Sequence, residues 1–354
     1  MTATSGATSA QRRPTTPEPE PDARAPRAVD RPGAEARGVT RQPIHTASDS
    51  STPRGVATQL AAQTSVRGAA QATASPSLVL ARLDAHRESY SGPYQIDGKR
   101  SHVDAHFRMN GGYGANPERA VERARAALTP RDFKRLQLQI ARVATGKADA
   151  KSLVRLTQAL IDAGLHEPFG GGAKGVRRMM WEYGIGVDCS GYTRGAFLAA
   201  RGLAEAQGRA RHGLPATQYG FDPDHLPRFR KVEPVLVRAG DMCKLVHAGE
   251  SHKVIVASHD VVPASARVVD VPGHGALPAE FSAGGRVHIY QVDSSWGAGR
   301  DGSEHGGVGR RVWAFSEATQ QWGSFDAATG RLRVSSEGPY SSQLLGFYRP
   351  KSER

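Results

Sequence analysis

The spacing of apolar residues changes at Gly164, and that change constrains the fold more than any other feature of the chain. Before it, Phe133, Leu136, Ile140 and Val143 form one stripe and Leu153, Leu156, Leu160 and Ile161 another, at the three- and four-residue intervals of amphipathic helices. Asn116 precedes Pro117 and Thr129 precedes Pro130. A side-chain oxygen that accepts from a free helical N–H, followed by a proline that has none to satisfy, predicts a helix start at each, with Asp132 near the second set of N–H groups. Gly164 suits a left-handed stop after the third helix. After it come Gly-rich turns, one helix and short strand-like runs at 253–258, 267–271, 286–293, 311–315, 331–334 and 345–348. Val287 and Ile289, with Gln291 and Asp293 in phase, suit a half-buried strand. Helices first and an antiparallel sheet after them predict an α+β chain.

The first 75 or so residues are rich in Thr, Ser, Ala, Pro and Arg and hold almost no large apolar side chain. Such a segment cannot repay its ordering entropy, so residues 1–75 are expected to be a disordered leader or linker. Residues 76–164 then form a helical region and 165–354 the domain that carries chemistry. The net charge of +13 favours polyanions in general, but basic stripes interleaved with aromatics are missing, so specific nucleic-acid recognition is not expected. Nothing reads as a transmembrane segment or as a signal peptide. Synthesis in the cytoplasm, with export by a non-classical or injection route, is the expectation that follows.

The sharpest local signal is Gly186-Val187-Asp188-Cys189-Ser190-Gly191, followed by Tyr192, Ala196, Phe197 and Ala200 at helical spacing and Gly202 as a stop. A cysteine at a helix N-terminus faces free N–H groups and the positive end of the dipole, both of which favour its thiolate, the nucleophilic form. The plainer reading is a small buried residue under the helix. His252 follows in a strand, and a carboxylate at Asp293 in the next. Cysteine, imidazole and a group that orients the imidazole make a set for acyl transfer through a thioester.

The Asp-Cys-Ser-Gly segment opening a helix resembles the nucleophile motif of the NlpC-type cell-wall peptidases and the related CHAP amidases. Pro168-Phe169-Gly170-Gly171 resembles the aromatic-Gly-Gly segment upstream of that cysteine, with Phe169 where tyrosine is usual. Arg238-Ala239-Gly240-Asp241 resembles the family's Gly-Asp turn into a strand. His252-Lys253-Val254-Ile255-Val256 resembles its His-bearing strand, with Ile255 where a small residue is common. The resemblance covers roughly residues 165–300. It implies a papain-like fold and the cleavage of an amide in peptidoglycan stem peptides. By it Cys189 is the nucleophile, His252 the base and Asp293 the orienting group, with Gln291 as fallback. Phe169, Asp188, Ser190 and Trp296 would face substrate, and no cofactor or metal is implied. An export apparatus and an immunity or inhibitor protein are the partners implied by a delivered effector or lysin.

Two other readings stay open on the residues alone. The same trio serves a protein-directed deamidase, transglutaminase or acyltransferase, and a decayed trio would leave a polyanion-binding module. His247, Glu250 and His252 do not have the His-Glu-x-x-His spacing of a helical zinc site. His252 and His259, seven apart on one strand, should point to opposite faces, and His247, His259, His274 and His288 are read as exposed or locally satisfied. Cys243 reads as core, with a disulfide to Cys189 as the alternative. Trp296, Trp313, Trp322 and Phe347 read as the core of a small sheet or as a groove lining, and 297–309 as a long loop bordering the site.

Overall fold

The computed structural model describes residues 74–108, 117–215, 221–247, 249–263, 269–271, 273–297, 306–326 and 329–353, together with Ser265. All of them fall in one compact unit, Ala69–Arg354. The leader expected at 1–75 lies outside the described residues up to 73, as do 298–305 of the expected loop.

Helix α1 (Pro76–Ser89) opens with proline at its first turn and Ser75 as cap, its hydroxyl accepting from the Leu78 N–H. A hairpin, β1 (Tyr94–Ile96) and β2 (Lys99–Ser101), turns through Asp97 and Gly98, both at positive φ. It leads to β3 (His106–Phe107). Helices α2 (Pro117–Ala127), α3 (Pro130–Ala144) and α4 (Ala150–Asp162) follow. The expected cap is present at α3, where the Thr129 hydroxyl accepts from the Asp132 N–H at 3.1 Å. Leu136, Ile140 and Val143 are buried along α3, and Leu153, Leu156, Leu160 and Ile161 along α4. Helix α5 (Gly172–Glu182) was not legible, because Gly170, Gly171, Gly172 and Gly175 mask its start. Strand β4 (Gly186–Val187) pairs parallel with β3. Helices α6 (Cys189–Arg201) and α7 (Glu205–His212) complete the helical side.

The sheet is built from β5 (Phe229–Val232), β6 (Met242–His247), β7 (Glu250–Val262), β10 (Val287–Trp296), β11 (Gly307–Ser316), β12 (Trp322–Phe325), β13 (Leu332–Ser335) and β14 (Gln343–Pro350). Between β7 and β10 lie a small hairpin, β8 (Asp270–Val271) and β9 (Gly275–Ala276), and a single helical turn, α8 (Ala279–Ser282). The eight main strands run in the order β13-β12-β11-β10-β7-β6-β14-β5, every neighbour antiparallel. The expected α+β class and antiparallel sheet are therefore present.

Helix α6 packs on β7 and β10, so those two strands have a core on each face. On the helix face Tyr192, Ala196 and Phe197 join Met242, Ile255 and Ala257. On the far face Cys243, Leu245, Val254 and Val256 join Tyr290, Val292, Trp296, Trp313, Trp322 and Phe347. These aromatics are the core of the sheet. Side chains of β7 alternate between the two cores, as the twofold period of a strand requires.

The Gly-Asp turn before β6 is held by a buried ion pair. Asp241 accepts from Arg349 on β14 at 2.9 and 2.6 Å and from the Arg238 N–H at 2.9 Å. Breaking such a pair leaves the other charge buried and uncompensated. Arg349→Met should cost about 3–5 kcal/mol of stability, read from urea unfolding, and a loss below 1 kcal/mol would show that the pair is not what fixes the turn.

Candidate active site

The cysteine is placed by Asp188. That residue caps α6, with Oδ1 accepting from the Gly191 N–H at 2.6 Å and from the Ser190 hydroxyl at 3.0 Å, while its carbonyl accepts from the Tyr192 N–H at 3.0 Å. Its own N–H donates to the Gly146 carbonyl at 2.8 Å, on the link between α3 and α4. Cys189 is thus the first residue of the helix, as expected. It is 8% exposed, its Sγ 4.0 Å from the Ser251 carbonyl, with the backbone N–H of Lys253 directed at it.

The electrostatics differ from the sequence expectation. Burial pushes the Cys189 thiol up, and the Asp188 charge adds to that push. The Lys253 ammonium, the Lys253 N–H and the Lys147 ammonium act in the other direction. The positive end of α6 is offset because its capping group is itself an anion.

His252 is not beside the sulfur. Its cross-strand partner is Leu245 and its strand neighbours of the same parity are Val254 and Val256, all on the far face. Its ring lies 4.8 Å from that of Trp296, over which the Arg311 guanidinium sits at 4.2 Å. Burial first, then the charges of Arg311 and Lys253, pull its pKa down to about 3. Its Nε2 is buried without a hydrogen-bond partner. Cys189 meets the helix face, so the expected Cys189–His252 pair is not formed in this structure.

Asp293 is on the helix face, cross-strand from Ile255. It is fully buried, with both oxygens taken by Arg310 at 2.7 and 2.8 Å. Arg310 also pairs with Asp84 at 2.9 Å and donates to Gln291 Oε1 at 3.5 Å. Asp293 and Gln291 do share a face, but what they orient is a guanidinium, not an imidazole. The expected trio is therefore divided between two sides of one sheet.

What meets the sulfur instead is the helix face of β7. Lys253 is 8% exposed, donates to the Ser251 hydroxyl at 2.9 Å, and has no carboxylate in ion-pair reach among the described residues. Its carbonyl accepts from the Thr193 hydroxyl at 3.0 Å and the Ser294 hydroxyl at 2.7 Å, tying β7 to α6 and β10. From the α3–α4 link, Lys147 bonds the Asp188 carboxylate and the Ser190 hydroxyl. Lys253 had no role in the sequence reading. The signal that points to it is parity: it shares a face with Ile255 and Ala257, which pack under α6.

Other expected site residues are placed as follows. Phe169 is half-buried on the helical core, and Trp296 donates to the Gly309 carbonyl at 2.9 Å on the far side. Cys243 is buried on the far face, across the sheet from Cys189, and both thiols are free. His252 and His259 were expected on opposite faces. Both lie on the far one, His259 stacked on Tyr290 at 4.7 Å, because a bulge at Ala257 inserts one residue between them. His259 is bonded to the Val237 carbonyl and to His288, whose other nitrogen meets Glu317. Asp222, Asp224 and His225 bring ligand-type atoms within 4.8 Å of one another. The Lys244 ammonium bonds both carboxylates, at 2.7 and 2.8 Å, and supplies the positive charge there.

Comparison with protein-family models, with curated proteins and with solved structures finds no match for this chain.

The neutral state of His252, whose residue is half-buried but whose Nε2 is enclosed, has a measurable consequence. Its ordinary pKa is 6.5 and its folded value about 3. Between those values the unfolded chain binds a proton there that the folded chain does not, so stability falls as pH drops through that window, by up to about 1.4 kcal/mol per pH unit. His252→Gln should flatten that acid limb in urea titrations between pH 7 and 4, and an unchanged limb would place the ring in contact with water.

Proposed function

We propose that the chain is a thiol-dependent amidase or endopeptidase that cuts an amide in peptidoglycan stem peptides, with Cys189 as nucleophile and Lys253 as its cationic partner. The observation that carries the reading is a buried lysine, with no carboxylate in ion-pair reach among the described residues, whose charge and backbone N–H act on a buried cysteine at the first position of a helix. Burial keeps the resting thiol protonated; when its proton leaves, the Lys253 ammonium stabilises the thiolate that reacts. The substrate class comes from the resemblance of residues 165–300 to the NlpC-type peptidases.

The roles follow from the positions. The thiolate attacks the amide carbonyl, forming the carbon–sulfur bond. Gly191 and Tyr192 already bond Asp188, which leaves the N–H groups of Cys189 and Ser190 at the open end of α6 as donors to the oxyanion. The carbon–nitrogen bond breaks as the Lys253 ammonium gives its proton to the leaving amine. Water then cleaves the thioester, passing one proton to Lys253 and restoring the thiolate–ammonium pair, and the acid is released.

A second reading rests on the same site. The upward push on the thiol favours a binding module whose cysteine is inert, and thiol reactivity separates the two. Alkylation of Cys189 in native protein, followed by mass spectrometry against pH, should show a midpoint above the free value of about 8.5. Lys253→Met should move it higher and abolish amide turnover, while His252→Ala leaves it in place. A midpoint that follows His252 and ignores Lys253 would overturn the assignment, and a thiol that never reacts would favour the binding module. Release of ammonia rather than of a new amine would indicate side-chain deamidation instead of cleavage.

A further inference from the structure

The link between α3 and α4 is built to grip the residue that precedes the nucleophile. Its backbone is fixed from three directions. The Arg108 guanidinium donates to the Ala144 carbonyl at 3.3 and 3.2 Å, the Tyr90 hydroxyl donates to the Ala148 carbonyl at 3.2 Å, and the Gly146 carbonyl accepts from the Asp188 N–H at 2.8 Å. Gly146 sits at φ +70°, and a Cβ there would lie 2.3 Å from the Arg108 carbonyl oxygen and 3.2 Å from the Asp188 nitrogen. Only glycine permits both the turn and the approach. The next residue is Lys147, whose side chain, 13% exposed, reaches the Asp188 carboxylate and the Ser190 hydroxyl on either side of Cys189.

Asp188 is needed as a cap, yet its charge opposes a thiolate next door. Its Oδ1 serves the helix N–H groups, while Oδ2 faces Lys147. We propose that Lys147 is a positioning residue of the Cys189 centre: it holds and neutralises the Asp188 carboxylate, so that the helix keeps its cap while the field at the sulfur stays positive. The helical region is then a working part of the centre rather than an appended scaffold. The opposing influences of Asp188 and Lys147 on the thiol agree with this division of labour. The inference rests on Cys189 being the reactive thiol.

Alkylation of the full chain by iodoacetamide, as a function of pH, tests it in four proteins: the wild type, Lys147→Met, Lys147→Arg and Lys253→Met. Circular dichroism confirms that each is folded. Lys147→Met should react about tenfold more slowly than wild type at pH 8, a shift of about one pH unit in midpoint, and Lys147→Arg should recover most of the rate. Asp188→Asn supplies the converse. It should lower the midpoint, and Lys147→Met added to it should change little further. If Lys147→Met does not fold alone, Lys147→Gln, which keeps a hydrogen-bond donor to Asp188 but no charge, replaces it: a slower reaction than wild type supports the inference and a coincident profile overturns it. Coincident profiles for wild type and Lys147→Met, with Lys253→Met displaced, would overturn this inference and leave the role of Cys189 intact. Were Lys253→Met also coincident with wild type, the cationic pairing proposed above would fail as well.

Discussion

The middle of strand β7, Lys253 to Ala257, is buried on both faces, and the pairing proposed for Cys189 depends on that constraint. A strand with one wet face has room for a side chain to change its surroundings. Here Ile255 and Ala257 are committed to the core under α6, and Val254 and Val256 to the aromatic core behind the sheet. Each residue beside them inherits its side from theirs. Lys253 comes under Cys189 and His252 comes under Trp296 because the four aliphatic neighbours leave no other arrangement. The hydroxyls of Thr193 and Ser294 lock the same register by bonding the Lys253 carbonyl.

Much of the architecture was legible because its signals are local. Thr129 and Pro130 mark the start of α3, the Leu136–Ile140–Val143 stripe marks its buried face, and the Asp188 cap with the apolar residues that follow marks α6. The glycines before α5 hid a helix for an equally local reason, since they lower the propensity that a reader weighs. The three residues of the expected trio are divided between the faces for a reason that is not local. Which way His252 points depends on the pairing of β7 with β6 and β10, and on a bulge that adds a residue at Ala257. Asp293 was a sound candidate as a carboxylate on the next strand, but its partner Arg310 lies 17 positions away on β11. The contact of Lys147 was invisible because its partner, Asp188, is 41 positions downstream.

The helical region and the sheet also share one physical task. The parallel pairing of β3 with β4, the Arg108 N–H on the Val187 carbonyl and the Gly146 carbonyl on the Asp188 N–H all act on the three residues that lead into Cys189. A nucleophile at a helix terminus is only as well placed as the segment entering the helix. That segment is held from the amino-terminal side by backbone hydrogen bonds, with Ser295 adding a hydroxyl on the Val187 carbonyl from β10.

The bulge at Ala257 gives β7 two reading frames. Ahead of it, odd positions face the helix; beyond it, His259 faces the far side. Sliding the leading half of the strand by a single residue, about 3.3 Å along its axis, would exchange every side chain between the two cores and carry an imidazole to the place now held by an ammonium. A lysine and a histidine therefore stand one residue apart in the same stretch of chain, and which of them comes to the side of Cys189 is decided by the four aliphatic side chains that follow.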